Sequence, residues 1–570
     1  MTARTHGRRP SSITGSRRTW LLWVLLAAVT AGCGSPHRDP VDERPNILLI
    51  VADDLGYSDL GSYGSEIATP NLDRLAARGV RFSSFHTANM CAPSRAMLLT
   101  GNDNHVAGMG NQDGGSGPTE GLPGYEGHLS DRVVPLPLLL RDAGYATYMV
   151  GKWHLGETPE HSPTAAGFER AFGILQGAGD HFSDTALETE SGLSLYWGDG
   201  QYVPWPNGRY DTEVYTDRLM DFIDEGLDSS RPFMAMAAYT SPHWPLQVPE
   251  DYRDRYRGRY DAGYDSLRER RFEGLQAAGI IPGDWEMPPH GKAIQPWSEL
   301  PPEDRRLESR KMELYAGMVE NLDHHVGRLL DHLEERGQLE NTLVVFVSDN
   351  GPAAEDFYNT GDYVEWLRSR YDNRYETMGG PGSYVSYGPQ WAVAGSAPFR
   401  GHKQDATEGG ITAPMLVAGP GVQNGGRVAG AYVGIADLAP TLLEIAGASY
   451  PGTRGSDRTV DMSGRSIVPV LADEADRVHP EDQVFGFSHR GRTFVRRGRW
   501  KLVADRSPFD PFDFRLYDLV EDPGETVDRS ADRPDVRSDL MLEWERFRAR
   551  VGVWVPTGED PDPPTEGENP

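Results

Sequence analysis

Apolar residues are distributed along this chain in two textures. Short unbroken runs predict strands buried on both faces: Asn46-Ile47-Leu48-Leu49-Ile50-Val51-Ala52, Phe233-Met234-Ala235-Met236-Ala237-Ala238-Tyr239 and Thr342-Leu343-Val344-Val345-Phe346-Val347. Residues 145–150, after Gly144, form a fourth. Elsewhere the period is helical. Leu314, Met318, Val319, Leu322, Val326, Leu329, Leu330 and Leu333 trace one face of a long amphipathic helix. Thr69-Pro70 and Gly79 bracket Leu72, Leu75 and Ala76 as the start and stop of a shorter one, and residues 136–142 predict a third. Strands alternating with helices predict an α/β fold, a large mixed, mostly parallel sheet sandwiched by helices. Ligands of such sheets bind beyond the carboxyl ends of the strands. Asp53, Lys152, His243 and Asp349 each stand just past a predicted strand.

After about residue 450 the texture changes. Gln483-Val484-Phe485-Gly486-Phe487 and Trp500-Lys501-Leu502-Val503 predict antiparallel strands, and residues 535–550 a closing helix. The chain of 570 residues therefore divides into a main domain over 45–450 and a smaller C-terminal α+β subdomain over 451–556. An acidic, proline-rich tail, 557–570, is expected to be disordered. At the other end, Arg8, Arg9, Arg17 and Arg18 precede an apolar run too short for a mature membrane span, so 1–33 is expected to be an export signal. Thr30-Ala31-Gly32-Cys33 resembles a bacterial lipoprotein signal that would lipidate Cys33, and Ser16-Arg17-Arg18-Thr19-Trp20-Leu21 resembles a twin-arginine signal. Residues 34–44 would form a tether. The expected location is the periplasm or cell envelope, with contact to membrane through Cys33 alone.

Charge narrows the chemistry. A formal net charge of -29 repels phosphate backbones, which makes nucleic acid an unsuitable partner. It also requires any anionic substrate to find a locally positive pocket. With two cysteines, Cys33 and Cys91, a disulfide framework is not expected.

Cys91 opens the sequence Cys91-Ala92-Pro93-Ser94-Arg95-Ala96-Met97-Leu98-Leu99-Thr100-Gly101. Pro93 favours helix initiation, and Leu98-Leu99 would pack that helix down. Residue 91 is left at a helix N-terminus, where backbone N–H groups attract anions. Gly151-Lys152-Trp153-His154 follows a strand, with Lys152 and His154 pointing to one side if the segment is extended. Asp53-Asp54 and Asp349-Asn350-Gly351 also follow strands, Ser241-Pro242-His243-Trp244-Pro245 forms a histidine loop, and Arg400-Gly401-His402-Lys403 precedes Glu408-Gly409-Gly410. Adjacent acids also cap helices and Asp-Asn-Gly is a common turn, so each piece alone has a bland reading. An all-oxygen donor set suits a hard cation, Mg²⁺ as well as Ca²⁺.

Together these motifs resemble the sulfatases of the formylglycine, cysteine type, within the alkaline phosphatase superfamily, and bacterial arylsulfatases in particular. The likeness covers about residues 45 to 450. It implies an alkaline-phosphatase-like fold, one Ca²⁺ held by Asp53, Asp54, residue 91, Asp349 and Asn350, and oxidation of Cys91 to 3-oxoalanine (Cα-formylglycine) by a maturation enzyme. The implied catalytic set is Cys91, Arg95, Lys152, His154, His243, Asp349 and Lys403. Asp349 would act as base in the attack of the aldehyde hydrate on sulfur. His243, with Lys403, would protonate the leaving oxygen, and His154 would take the proton that releases sulfate. Arg95 and Lys152 would hold the hydrate. The expected reaction is hydrolysis of an aryl or other small sulfate ester. A phosphonate monoester or phosphodiester hydrolase and an exo-acting sulfatase of sulfated glycans are the alternatives. A catalytically dead glycan-binding lipoprotein would lack one of these residues, and none is missing. Trp285, Trp297, Tyr358, Trp366, Tyr384, Tyr387 and Trp391 either line an aryl or sugar subsite or pack surface loops. His105, His181, His324 and His325 match no motif.

Overall fold

The computed structural model describes residues 44–186, 192–206, 208–289, 294–360, 364–454, 457–506 and 510–555. The predicted export signal with Cys33, all of the tether but Arg44, and the acidic tail lie outside the described residues. No helix among the described residues is long and apolar enough to cross a membrane.

Eleven strands form the main sheet: β1 (Asn46–Ala52), β2 (Val80–His86), β3 (Ala146–Gly151), β4 (Arg170–Ile174), β5 (Tyr196–Gly198), β6 (Gln201–Val203), β7 (Phe233–Ala238), β8 (Thr342–Ser348), β9 (Thr412–Ala418), β10 (Arg427–Ala429) and β11 (Val433–Gly434). Their order is β10-β2-β9-β8-β1-β7-β3-β4-β5-β6, with β11 also on β2. The central strands β8, β1, β7 and β3 are mutually parallel, while β9 runs antiparallel to both β8 and β2.

The unbroken apolar runs are explained by burial on both sides. Side chains of a strand alternate between faces. Leu48, Ile50 and Ala52 of β1 join one core with the helices Asp211–Gly226 and Pro302–Glu335, and Ile47, Leu49 and Val51 join a second with the helices Cys91–Thr100, Leu136–Asp142 and Leu438–Ile445. β7 and β8 divide in the same way, so neither face can be polar. The long helix begins at Pro302, twelve residues before the first apolar position that marked it, because its first turns are largely exposed and carry no apolar stripe.

Beyond the sheet, β12 (Thr453–Arg454) and β13 (Asp457–Arg458) pair, and β14 (Val484–His489), β15 (Arg492–Arg497), β16 (Trp500–Ala504) and β17 (Arg515–Asp518) form a separate antiparallel sheet in chain order. The helix Pro534–Val551 covers one face through Leu540, Trp544 and Phe547. The other face packs on Ala88, Ala406 and Ile411 of the catalytic portion.

A buried ion cluster pins this contact. Lys501 Nζ lies 2.6 Å from Glu408 Oε1 and 3.0 Å from Glu525 Oε1, with all three side chains almost fully buried. Glu408 also meets His86 Nε2 at 2.8 Å, and its main-chain N–H donates to Glu525 Oε2 at 2.7 Å. Removing the cation would strand two buried carboxylates. Lys501→Met is expected to lower stability by about 3 to 5 kcal/mol in denaturant unfolding. Arg499→Ala, which breaks ion pairs of a 40% exposed side chain with Asp518 and Glu521, should leave the unfolding midpoint nearly unchanged.

Candidate active site

The site forms where four adjacent parallel strands end together. Ala52 of β1 pairs in register with Ser348 of β8, so Asp53-Asp54 and Asp349-Asn350 emerge side by side. β7, on the other flank of β1, leads into the His243 loop, and β3 beyond it leads into Lys152. Main-chain bonds lock the exits: Asp53 N–H donates to Ser241 O at 3.2 Å, Asp349 N–H to Ala52 O at 3.2 Å and Lys152 N–H to Ala238 O at 2.7 Å. The last requires glycine before it. Gly151 has φ +98°, and a Cβ there would stand 1.8 Å from Ala238 O. Lys403 precedes β9, whose antiparallel direction brings its start to the same edge.

Cys91 opens the helix Cys91–Thr100, as its sequence predicts, and the left-handed Gly101 ends it. The thiol lies 3.4 Å from Asp53 Oδ1 and 3.9 Å from Asp54 Oδ1. One turn on, Arg95 reaches Asp349 Oδ2 through Nε at 2.9 Å and Nη2 at 2.8 Å, and donates from Nη1 to Lys152 O at 2.6 Å. Lys152 Nζ meets Asp53 Oδ2 at 2.7 Å, and Lys403 Nζ meets Asp54 Oδ2 at 2.9 Å. Three carboxylates thus face three cations, all buried. With carboxylates and cations matched three to three, these side chains alone do not make the locally positive pocket that the acidic chain requires.

His243 Nδ1 donates to Trp244 O at 2.6 Å, which leaves Nε2 as an acceptor 3.2 Å from Lys403 Nζ. His154 reaches the site differently from the extended geometry expected. It is left-handed, with φ +59°, and its N–H donates to Leu175 O at 3.0 Å. Its ring lies over Gly177, where a Cβ would come within 2.5 Å of it. His154 Nδ1 is buried with no hydrogen-bond partner among the described residues.

Proton affinities follow from burial and neighbouring charge. Burial opposes ionisation of Asp53, but Lys152, Arg95 and Lys403 outweigh it and hold its carboxyl far below the usual range. Asp54 is pushed up to about 7 by burial, with Asp53, Asp349 and Glu355 adding to the rise against Lys403. Burial, then Asp53, raises Asp349. Burial, then Asp53, drives the Cys91 thiol well above its ordinary value, so it is no ready thiolate. Burial lowers His154, aided by Lys152 and Arg95, and His243, aided by Lys403. Both rings are neutral.

The donor chemistry fits a hard cation. Asp53, Asp54 and Asp349 supply carboxylates, and Asn350 Oδ1 is buried without a hydrogen-bond partner among the described residues while its Nδ2 donates to Asp54 Oδ1 at 2.6 Å. Candidate ligand atoms of Asp53, Asp54, Cys91 and His243 all lie within 4.8 Å of one another. His243 is the member that the motifs did not assign to this group. Its Nε2, 3.4 Å from Asp54 Oδ2, is also the atom facing Lys403.

Other candidates separate. His402 Nδ1 lies 3.6 Å from Asp405 Oδ2 and 2.9 Å from Lys403 O, outside the carboxylate cluster. His105 lies beside Asp103 and His325 beside Arg328. Tyr387, Trp391 and Trp297 belong to the core, with Trp285 packed against it. Tyr384, Tyr358 and Trp366 instead join Tyr371, Phe357 and Trp244, next to His243. The sequence reading missed Glu355, which acts on Asp54 and Lys403 and accepts from Gln404 Nε2 at 3.0 Å. No motif marks it; six positions past Asp349, it is near in sequence alone.

The family described as Sulfatase matches residues 45–448. An arylsulfatase of Klebsiella aerogenes is 38% identical over 461 residues, covering 80% of this chain and 97% of that protein. An uncharacterised sulfatase of Schizosaccharomyces pombe is 37% identical over 535 residues, covering 91% and 96%. The crystal structure of Ps i-CgsB in complex with k-i-k-neocarrahexaose superposes with a TM-score of 0.63 at 25% identity, covering 90% of this chain and 96% of that one.

A divalent cation added to chelator-treated protein should raise its melting temperature, reflecting about 2.7 kcal/mol at a hundredfold excess over Kd. Asn350→Ala should weaken that rise. An unchanged melt in both proteins would count against the assigned ligands.

Proposed function

The chain belongs to the sulfatase family and is a sulfuric ester hydrolase, and from that premise we propose that it cleaves aryl or other small sulfate esters with formylglycine at position 91 and calcium beside it. The observation that carries the proposal is the state of Cys91. A buried thiol raised well above its ordinary value and flanked by carboxylates is a poor nucleophile, yet it occupies the helix N-terminus at the centre of the charge cluster. Oxidation by a maturation enzyme replaces that thiol with an aldehyde, whose hydrate would supply one hydroxyl to attack sulfur and a second to expel sulfate. Calcium held by Asp53, Asp54, Asp349, Asn350 and residue 91 would supply Lewis acidity for hydroxyl and sulfate oxygens.

The remaining work falls to side chains. Arg95 and Lys152, through their contacts with Asp349 and Asp53, orient the carboxylates and add positive charge against a sulfate group. Asp349, raised by burial and Asp53, accepts the proton of the attacking hydroxyl. Lys403 and His243 share a hydrogen bond with one labile proton between them, and this pair delivers it to the leaving oxygen. His154, neutral and with a vacant Nδ1, takes the proton that accompanies sulfate release.

Trp244, whose ring centroid lies 4.4 Å from that of His243, packs on Phe357 at 5.1 Å and would offer an apolar wall to an aryl group. A sugar would stack there equally well, and the likeness to Ps i-CgsB favours keeping carbohydrate sulfates as the second reading. Residues 1–33 would direct export to the periplasm or envelope, with lipidation of Cys33 as the anchor.

Mass spectrometry of the peptide containing residue 91, from active protein made in its own host, should show sulfur and two hydrogens replaced by one oxygen; an intact thiol would overturn the mechanism. Cys91→Ala should abolish turnover without changing the melt. On matched aryl sulfates and aryl phosphodiesters, sulfate turnover should dominate, and the reverse would reassign the enzyme to phosphodiesters.

A further inference from the structure

His181 belongs to no sequence motif, yet the structure buries it directly behind the His243 loop, with 1% of its surface exposed. Its Nδ1 lies 2.7 Å from Asp211 Oδ2, and its Nε2 lies 3.1 Å from the main-chain oxygen of His243. Both neighbours are acceptors. Both ring nitrogens therefore carry protons, and the ring is an imidazolium paired with Asp211. Burial by itself would discharge it, but the charge and hydrogen bond of Asp211 outweigh burial and move the balance upward.

The pair is rigidly held. Asp211 opens the helix Asp211–Gly226, and its carboxylate accepts from Thr212 N at 2.6 Å and from the Thr240 hydroxyl. Thr240 O in turn accepts from His243 N–H at 3.0 Å. At the far end of the loop, Gln247 Oε1 accepts from His181 N–H at 2.9 Å, and Gln247 Nε2 donates to Asp180 Oδ2 at 2.7 Å. The segment 240–247 is thus tied at both ends to residues 180, 181 and 211, and His181 donates to the carbonyl of His243 itself. Without that donor the peptide after His243 loses a charge-assisted hydrogen bond inside a buried site, and nothing else in this set fixes its plane.

We propose that His181, held by Asp211, is a positioning residue that fixes the His243 peptide and so aims the His243–Lys403 pair at the leaving oxygen. The proposal rests on the reading of that pair as proton donor. A shift of about 1 Å in such a group can cost a hundredfold in rate. The loss falls unevenly: a poor leaving group needs the proton most, and an acidic phenol leaves nearly unaided.

The test is kcat/KM for aryl sulfates of graded phenol acidity, measured on the matured full-length enzyme. His181→Asn keeps an amide near Asp211 but falls short of the His243 oxygen. It should lose roughly tenfold or more activity on the least acidic phenol relative to the most acidic. His181→Gln, whose amide reaches the His243 oxygen, should keep the wild-type dependence. Asp211→Asn, with the same shape and no charge, should move in the direction of His181→Asn, and it carries the test if His181→Asn fails to fold. Wild-type leaving-group dependence in both His181→Asn and Asp211→Asn would overturn the proposal, as would equal steepening in His181→Gln and His181→Asn. His243→Ala separates the two levels. If it does not steepen the dependence, the proton-donor reading fails and this inference with it. If it does while the His181 and Asp211 variants do not, the inference alone fails.

Discussion

Asp53, Asp54 and Asp349 are buried together at one edge of the sheet, and that arrangement is tolerable because Arg95, Lys152 and Lys403 are buried with them. An isolated buried carboxylate would cost several kcal/mol and would take up a proton instead. The match is close but incomplete: Asp54 still stands near 7, and Asn350 Oδ1 faces no donor among the described residues. The residual demand for positive charge is what a hard cation meets. Burial, with Asp53 adding to it, keeps the Cys91 thiol protonated.

Much of the fold serves to hold these charges in place. Parallel strands that end in register deliver Asp53-Asp54 and Asp349-Asn350 to one point, and burial on both faces fixes that register, since a slip by one residue would exchange the two cores. The C-terminal sheet contributes from outside. The Lys501 cluster grips Glu408, five residues past Lys403, so the loop that carries the third cation is braced by a different part of the chain.

The four central strands and the helices over 70–78, 136–142 and 302–335 were legible because each obeys one period or carries start and stop signals, and the helix carrying Cys91 was legible from Pro93 and Leu98-Leu99; the shorter outer strands and the helix Asp211–Gly226 were not. The placement of the His154 ring was not, because it depends on Gly177 making room from 23 positions away. The aromatic residues divided for the same reason. Trp391 and Tyr358 look alike in sequence, and only their neighbours assign one to the core and the other to the cluster beside His243.

By itself the sequence determined the fold class and the identities of the reactive groups, since strand period, helix signals and the spacing within each motif are local properties. Tertiary structure decided which charges meet, how their proton affinities divide, and that an unmarked histidine, His181, stands behind His243. Those outcomes depend on Coulomb terms and hydrogen bonds between residues from 38 positions apart, as for Cys91 and Asp53, to 349, as for Lys403 and Asp54. No local pattern encodes a distance of that kind.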